Sequence, residues 1–218
     1  LSGFDTREKT CSMGGMFNTC NELTTIFVSD KFAVGTGVTG DGTMFLECNK
    51  LKGANAFDKN KTGIDNANYK TGYFTKLVGK NGDEKIGATG ETLATENLVL
   101  DDDKDFVAYE KFAAKDASYS RTMNAGTTWG TLCLPFGIDQ SQETECKFYR
   151  LTGIDNDNEC ITLESYEGEE IPAGTPVLFK MNEGEQTLSI SGQDASIVTE
   201  PKAGTNTDVN LVGSFTKI

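Results

Sequence analysis

The stretch G-G-M-F-N-T-C-N-E-L, residues 14–23, returns in altered form as G-D-G-T-M-F-L-E-C-N-K-L at residues 40–51. In both copies a Met-Phe pair precedes Cys-Asn-x-Leu, and the two copies are 28 positions apart. The chain has only 5 Met and 6 Cys in 218 residues, so their coincidence in one register indicates an internal repeat. Neither copy holds an obvious catalytic group, and we interpret the repeat as architecture.

This period is typical of a leucine-rich-repeat solenoid, in which each coil buries its apolar edge only against the neighbouring coils. We predict that Phe17 stacks on Phe45 and that Cys20 lies beside Cys48, with the Met and Leu side chains completing the interior. Cys fills a narrow buried slot as a small hydrophobe. The Asn of each copy is predicted to hold the bend. A weaker third match sets Tyr73 in step with Phe45.

The motif M-F-x-x-C-x-x-L, preceded by F-D-T at residues 4–6, resembles the BspA-like leucine-rich repeat. That family is common in mycoplasma lipoproteins and in surface proteins of gut and oral anaerobes, and the G-Y-F-T segment at 72–75 is similar to the way its arrays close. The resemblance covers about residues 1–75 and implies a short solenoid in a surface adhesin. In the second copy Ala33-Val34 replaces Asp-Thr. Because the chain opens inside a copy, we expect further coils before Leu1.

Residues 76–97 are polar and contain Asn81-Gly82, a pair that favours a tight turn, so either a linker or a hairpin fits. From residue 98 onward, short apolar runs alternate with turn signals such as D-N-D-N and P-A-G-T-P. This pattern predicts an antiparallel β-sandwich over residues 98–218. The predicted fold is therefore mainly β: a leucine-rich solenoid at residues 1–75, then a β-sandwich.

The run T-W-G-T-L-C-L-P-F, residues 128–136, places Leu132, Leu134 and Phe136 on one face of a strand and Cys133 on the other. This run, followed by F-Y-x-L-T-G and I-P-A-G-T-P-V-L-F-K, resembles the C-terminal β-domain of secreted Bacteroides proteins, whose function is unassigned. The resemblance implies an extracellular or outer-surface location.

Composition excludes several classes of function. The net charge of −13 and the pI of about 4.5 disfavour a nucleic-acid partner. No apolar run approaches the roughly 18 residues that a membrane-spanning helix needs. The absence of His removes the His-dependent catalytic triads and every His-containing metal site.

The cysteines lack a C-x-x-C pair, which argues against a Cys-only zinc site. We predict free, buried thiols rather than disulfides, and Cys133 is predicted to be buried and inert. The six are Cys11, Cys20, Cys48, Cys133, Cys146 and Cys160.

Acidic runs at residues 101–105 and 155–158 are rich in oxygen ligands, but neither has both the Gly and the Glu of an EF-hand loop, so solvated turns are favoured over calcium sites. A glycosidase needs two acids facing one cleft, and the sequence offers no means of choosing a pair. We therefore predict no catalytic residue, no cofactor-binding residue, no cofactor and no metal ligand.

Tyr69, Tyr73 and Phe74 are the candidate ligand contacts, because aromatic side chains at the end of a solenoid can stack on sugars or anchor proteins. The opposing interpretation is that they close a core. We predict a non-enzymatic, secreted or cell-surface binding and adhesion protein that presents its solenoid to host or neighbouring-cell proteins. A glycan-binding module for polysaccharide capture and a structural spacer are the alternatives.

Overall fold

The chain is mainly β, as predicted. The computed structural model describes residues 1–7, 10–35, 37–40, 42–168, 170–203 and 210–215, and within these ranges it contains thirteen strands and no α-helix. Single-turn 3-10 helices cover Ile64–Asn66 and Gln140–Gln142. The strands are β1 (Cys11–Ser12), β2 (Ile26–Val28), β3 (Val38–Thr39), β4 (Phe74–Asn81), β5 (Glu84–Ala88), β6 (Ala94–Leu100), β7 (Phe106–Ala108), β8 (Phe112–Thr122), β9 (Trp129–Leu132), β10 (Cys146–Asp155), β11 (Cys160–Ser165), β12 (Val177–Met181) and β13 (Thr187–Ile197).

The chain forms two compact units. The first contains Leu1–Val78 and Lys85–Thr95, and the second contains Gly79–Glu84 and Glu96–Ile218. The division passes through β4, β5 and β6, so residues 76–97, for which a linker or a hairpin fitted the sequence, belong mostly to strands. The turn between β4 and β5 lies at residues 82–83, one position later than the Asn-Gly pair suggested. Gly82 adopts a φ of 60°, which glycine tolerates without steric cost.

In the first unit the two copies of the repeat lie against each other at matching positions. The rings of Phe17 and Phe45 stack with centroids 5.7 Å apart and an interplanar angle of 10°. The backbone N–H of Phe17 donates to the carbonyl of Met44 at 3.0 Å. The Cys48 thiol donates to the carbonyl of Phe17 at 2.9 Å, and β1 pairs with β3 in parallel. Tyr73 contacts Phe45 edge-on at 5.3 Å, so the third aromatic packs next to the second.

The sequence suggested that Asn holds the bend in each copy. In the structure, the bend is instead made by a residue whose backbone lies in the left-handed region. Thr19 has a φ of 60° and Glu47 a φ of 63°, and these residues occupy matching positions of the two copies. Asn21 and Asn49 are exposed, and each donates its backbone N–H to the carbonyl of the bend residue two positions earlier. The bend is therefore a backbone conformation that the fold imposes on residues with no preference for it.

In the described residues, the second unit contains two multi-stranded sheets, together with the antiparallel pairing of β7 with Gly79–Asn81 of β4. One has the strand order β13-β8-β6 and the other β11-β10-β12-β9, with antiparallel pairing of β8 with β13 and throughout the second sheet. Leu132, Leu134 and Phe136 are all buried, which confirms the predicted apolar face of this run. The strand itself ends at Leu132.

The second half departs from its local strand pattern at three places. The run F-V-A-Y-E-K-F, residues 106–112, breaks after Ala108, and the chain re-enters a strand at Phe112. The long strand β8 was missed, because A-A-K-D-A-S-Y-S-R is poor in β-branched residues and its strand conformation depends on pairing with β13. V-N-L-V, residues 209–212, forms no strand at 210–212, and Val209 lies outside the described residues.

All six cysteines are free, as predicted, but their burial varies. Cys48 and Cys146 are buried, Cys11, Cys20 and Cys133 are half-buried, and Cys160 is exposed, which corrects the prediction of uniformly buried thiols. In the part of the chain that the structure describes, no helix has the length and apolar character needed to cross a membrane.

Candidate binding face

Two of the three aromatic residues that the sequence put forward as ligand contacts are core residues. Tyr73 is 1% exposed and Phe74 is 0% exposed. Phe74 packs edge-on against Phe45, and the Tyr73 hydroxyl accepts a hydrogen bond from the backbone N–H of Asp58 at 3.0 Å. Because buried side chains cannot contact a surface ligand, we withdraw this assignment for both. Tyr69 is half-buried, with the Lys76 ammonium 5.4 Å from its ring centre.

The structure presents a different set of aromatic residues on one face of the sheet β11-β10-β12-β9. Along each strand, alternate side chains point to opposite faces. One set is buried in the second unit, as at Phe148 and Phe179, which lie directly opposite each other on β10 and β12. The other set, here called the outer face, comprises Trp129, Thr131, Lys147, Tyr149, Leu151, Ile154, Ile161, Leu163, Ser165, Leu178 and Lys180.

Trp129 and Tyr149 form the aromatic centre of the outer face. They stand on β9 and β10, which are separated by β12, and strands two apart in a sheet are about 9–10 Å from each other. Their ring centroids are nevertheless only 5.2 Å apart, with an interplanar angle of 46°. The two side chains must therefore lean towards each other over β12. Trp129 remains 41% exposed in this position.

Two lysines flank this aromatic pair. Lys180 lies directly opposite Trp129 in the β9–β12 ladder, with its ammonium 5.4 Å from the centre of the indole. Lys147 lies opposite Lys180 on β10. Among the residues that the structure describes, neither lysine has a carboxylate within ion-pair distance. In a chain with a net charge of −13, the outer face therefore carries a local positive charge beside its aromatic rings.

An apolar row continues from the aromatic pair along the β10–β11 hairpin. Leu151 pairs with Leu163, and Ile154 pairs with Ile161. The two isoleucines are 51% and 52% exposed. The ladder shifts between Leu151 and Gly153, where the extra residue of a bulge brings Ile154 to the same face as Leu151. An exposed apolar row joined to an aromatic pair and bordered by lysines has the composition of a binding surface.

A cavity of about 510 Å³ also lies in the second unit, lined in part by Asp102, Tyr119, Arg121 and Cys133. The Tyr119 hydroxyl donates to the Asp102 carboxylate at 2.6 Å, and Arg121 pairs with the same carboxylate at 2.8 Å. Burial and the Asp102 charge raise the pKa of Tyr119, and burial raises the pKa of Cys133 to about 11. The tyrosine and the thiol therefore stay protonated at neutral pH, which suits a structural network and not a nucleophile.

Glu143 is the carboxyl group with the most unusual environment in the second unit. Its Oε2 is buried and accepts no hydrogen bond within the described ranges. Burial, followed by the charges of Glu145 and Asp139, raises the pKa of Glu143 to about 7. The nearest consequence is a pH-dependent cost of folding, because the ionised form is poorly solvated.

The two acidic runs form turns. Asp101 accepts a hydrogen bond from the backbone N–H of Asp103 at 2.9 Å, and Asp155 accepts one from that of Asp157 at 3.0 Å. The described part of the chain contains no group of three or more Cys, Asp or Glu side chains arranged to hold a metal ion.

The sequence alone allows one residue of the outer face, Trp129, to be placed on the correct side of its strand. Trp129 lies an odd number of positions from Leu132, so strand alternation places it opposite the buried Leu132, Leu134 and Phe136. The proximity of Tyr149 could not be inferred, since it depends on β12 lying between β9 and β10. Comparisons with protein-family models, with curated proteins and with solved structures find no match to this chain.

Proposed function

We propose that this chain is a non-enzymatic binding protein, displayed at a cell surface or secreted, that contacts host or neighbouring-cell proteins. The observation that supports this most is the outer face, where the exposed Trp129 and the half-buried Tyr149 lie next to an apolar row. Exposed Trp and Tyr on a rigid sheet contribute strongly to protein interfaces, because they offer a large contact area and lose little conformational freedom on binding.

The proposed fold behind this function is a leucine-rich-type solenoid in the first unit and a β-sandwich in the second. The solenoid proposal rests on contacts repeated at one offset: Phe17 on Phe45, and the Glu22–Lys50 ion pair of 2.5 Å, both between positions 28 apart. The sandwich proposal rests on the two sheets of the second unit, each of which has one apolar face buried. Both architectures are scaffolds, and function lies in their surfaces.

Retention on immobilised ligands tests the proposal. Labelled chain is passed over a panel of extracellular-matrix proteins and intact host cells, alongside the double variant Trp129→Ala with Tyr149→Ala. A matched control is Tyr109→Ala, because Tyr109 is 55% exposed in the same unit but lies outside the outer face. We expect retention of the wild type and of the control and at least tenfold weaker binding of the double variant. Absence of retention across the whole panel contradicts the proposal.

A glycan ligand is the second candidate, and the tilted Trp129–Tyr149 pair is the observation that favours it. An indole leaning across a strand offers an apolar surface to the C–H face of a sugar ring, and Lys180 lies close enough to bond a sugar oxygen. A glycan array with the wild type and with Trp129→Ala distinguishes the candidates. Sugar binding that the substitution abolishes, without retention on any protein, would replace the protein-binding proposal.

A further inference from the structure

We propose that the free edge of β11 takes an extended segment of the partner protein as an additional strand, and that this segment alternates apolar and basic residues. This inference rests on the proposed protein-binding function and names the geometry and the chemistry of the partner. β11 is the terminal strand of the order β11-β10-β12-β9, and in the described ranges no other strand pairs with its far side.

The hydrogen-bonding direction of β11 follows from one bond. The backbone N–H of Tyr166 donates to the carbonyl of Phe148 on β10 at 3.0 Å. In an antiparallel ladder, alternate residues direct both N–H and C=O to the same side. The backbone N–H and C=O of Thr162 therefore point towards β10. In agreement, the Thr162 carbonyl accepts a hydrogen bond of 3.1 Å from the Thr152 hydroxyl on that strand.

Cys160 and Glu164 direct their backbone groups to the same side as Thr162, whereas Ile161, Leu163 and Ser165 direct theirs to the free edge. Their side chains belong to the outer face, where Ile161 pairs with Ile154 and Leu163 with Leu151. An added strand would form hydrogen bonds with the backbone groups of these three residues. Its own side chains could extend the apolar row. Strand addition of this kind derives affinity from the main chain and specificity from alternate side chains.

The two edges of the sheet differ in protection. At the opposite edge, the Arg121 guanidinium donates to the carbonyl of Thr131 on β9 at 3.1 Å, which occupies a backbone acceptor. Exposed edge strands are usually protected by Lys, Pro or a bulge. The strand C-I-T-L-E-S has neither Lys nor Pro, and the bulge of this hairpin lies in β10. Its edge is available for pairing.

The charge around β11 selects the partner. Five acidic residues and no Lys or Arg lie between positions 155 and 167, namely Asp155, Asp157, Glu159, Glu164 and Glu167. Of these, Glu164 is paired with Arg150 of β10 at 3.2 Å, and the other four supply the net negative charge of the segment. A second copy paired with β11 would bring two such acidic segments together, which costs free energy. Basic residues at the non-apolar positions of the added strand complement this charge.

The proposal is tested with a defined probe, the acetylated and amidated peptide Lys-Val-Lys-Val-Thr-Val-Lys-Val-Lys, added to the full ¹⁵N-labelled chain. We expect amide hydrogen exchange at Ile161, Leu163 and Ser165 to slow at least tenfold, while exchange at Thr162 and Glu164 changes little. A peptide of the same composition without alternation, and an analogue with Glu in place of Lys, should give no such protection. Equal protection by either control peptide, or none by the probe, overturns the proposal.

Two variants disable the free edge of β11. Leu163→Pro removes an N–H that β10 does not use, so the hairpin ladder is preserved while the edge loses a donor. Ile161→Lys is a second variant, which keeps the backbone and repels a basic strand. Both should abolish the protection by the peptide, whereas Tyr109→Ala should retain it. Slow amide exchange on the free edge of β11 that appears without peptide and increases with protein concentration would identify a second copy as the occupant. That result would overturn the proposal.

The retention assay distinguishes this inference from the proposed function. Loss of retention in the Trp129→Ala, Tyr149→Ala double variant, with full retention of Leu163→Pro, would refute strand addition and leave the binding function standing. Peptide-induced protection of the edge in a chain that no surface retains would support strand addition and contradict adhesion.

Discussion

Replacing Met44 by Ala should destabilise the first unit far more than the same change at Met16. The two methionines occupy matching positions of the repeat, yet Met44 is 0% exposed and Met16 is 41% exposed. Truncating a fully buried Met to Ala costs about 2–5 kcal/mol, because transfer free energy is lost and a cavity remains. Truncating a side chain that is already in contact with water costs less than about 1 kcal/mol.

Urea denaturation followed by far-UV circular dichroism measures this difference. With a loss of about 3 kcal/mol and a slope near 2 kcal/mol per molar urea, the midpoint of the Met44→Ala variant should fall by about 1.5 M. The midpoint of Met16→Ala should fall by less than about 0.5 M. The fluorescence of Trp129, which is in the second unit, shows whether the two units unfold together. Equal losses for the two variants would refute the inference that the second copy is enclosed and the first is not.

Three further predictions concern charge, thiol chemistry and backbone packing. The pKa of Glu143 in the folded chain, about 7, exceeds its ordinary value of 4.5, so folding favours the protonated form and stability falls as the pH rises between these values. The urea midpoint of the Glu143→Gln variant should therefore decrease less between pH 5 and 7 than that of the wild type. The same pH dependence in both proteins would contradict this. Iodoacetamide should modify the exposed Cys160 well before Cys146, whose pKa burial raises to about 12, and mass spectrometry of partially labelled chain gives the order. Gly53→Ala should destabilise the fold by about 1–3 kcal/mol, because an added Cβ collides with neighbouring backbone. At Gly35 an added Cβ meets no atom within 4 Å in the described residues beyond its chain neighbours, so Gly35→Ala should change stability by less than about 0.5 kcal/mol in thermal unfolding.

Local patterns predicted the features that depend on nearby residues. The offset of 28 positions brought Phe17 and Phe45 into register, and their rings stack. Alternation identified the buried side of the run that contains Leu132. In both cases the signal is a period that a single element, or two adjacent copies, imposes on its own side chains.

Features that depend on distant pairing were missed. β8 has a weak strand signal and becomes an 11-residue strand, as long as β13, through its ladder with β13. Tyr73 and Phe74 are aromatic residues at the end of a repeat, and nothing in their composition distinguishes a contact surface from a core. Burial depends on what covers a side chain, and that cover comes from segments many positions away.

The sequence by itself determined that the chain is mainly β, that its first part repeats, and that no histidine is available for catalysis or metal binding. Composition and periodicity suffice for these conclusions, because they depend on residue types and on spacing along one chain. Only the tertiary structure decided which aromatic residues are accessible. Trp129 and Tyr149 meet across β12 because the sheet order sets β9 and β10 on either side of it, and no local rule specifies the order of strands in a sheet.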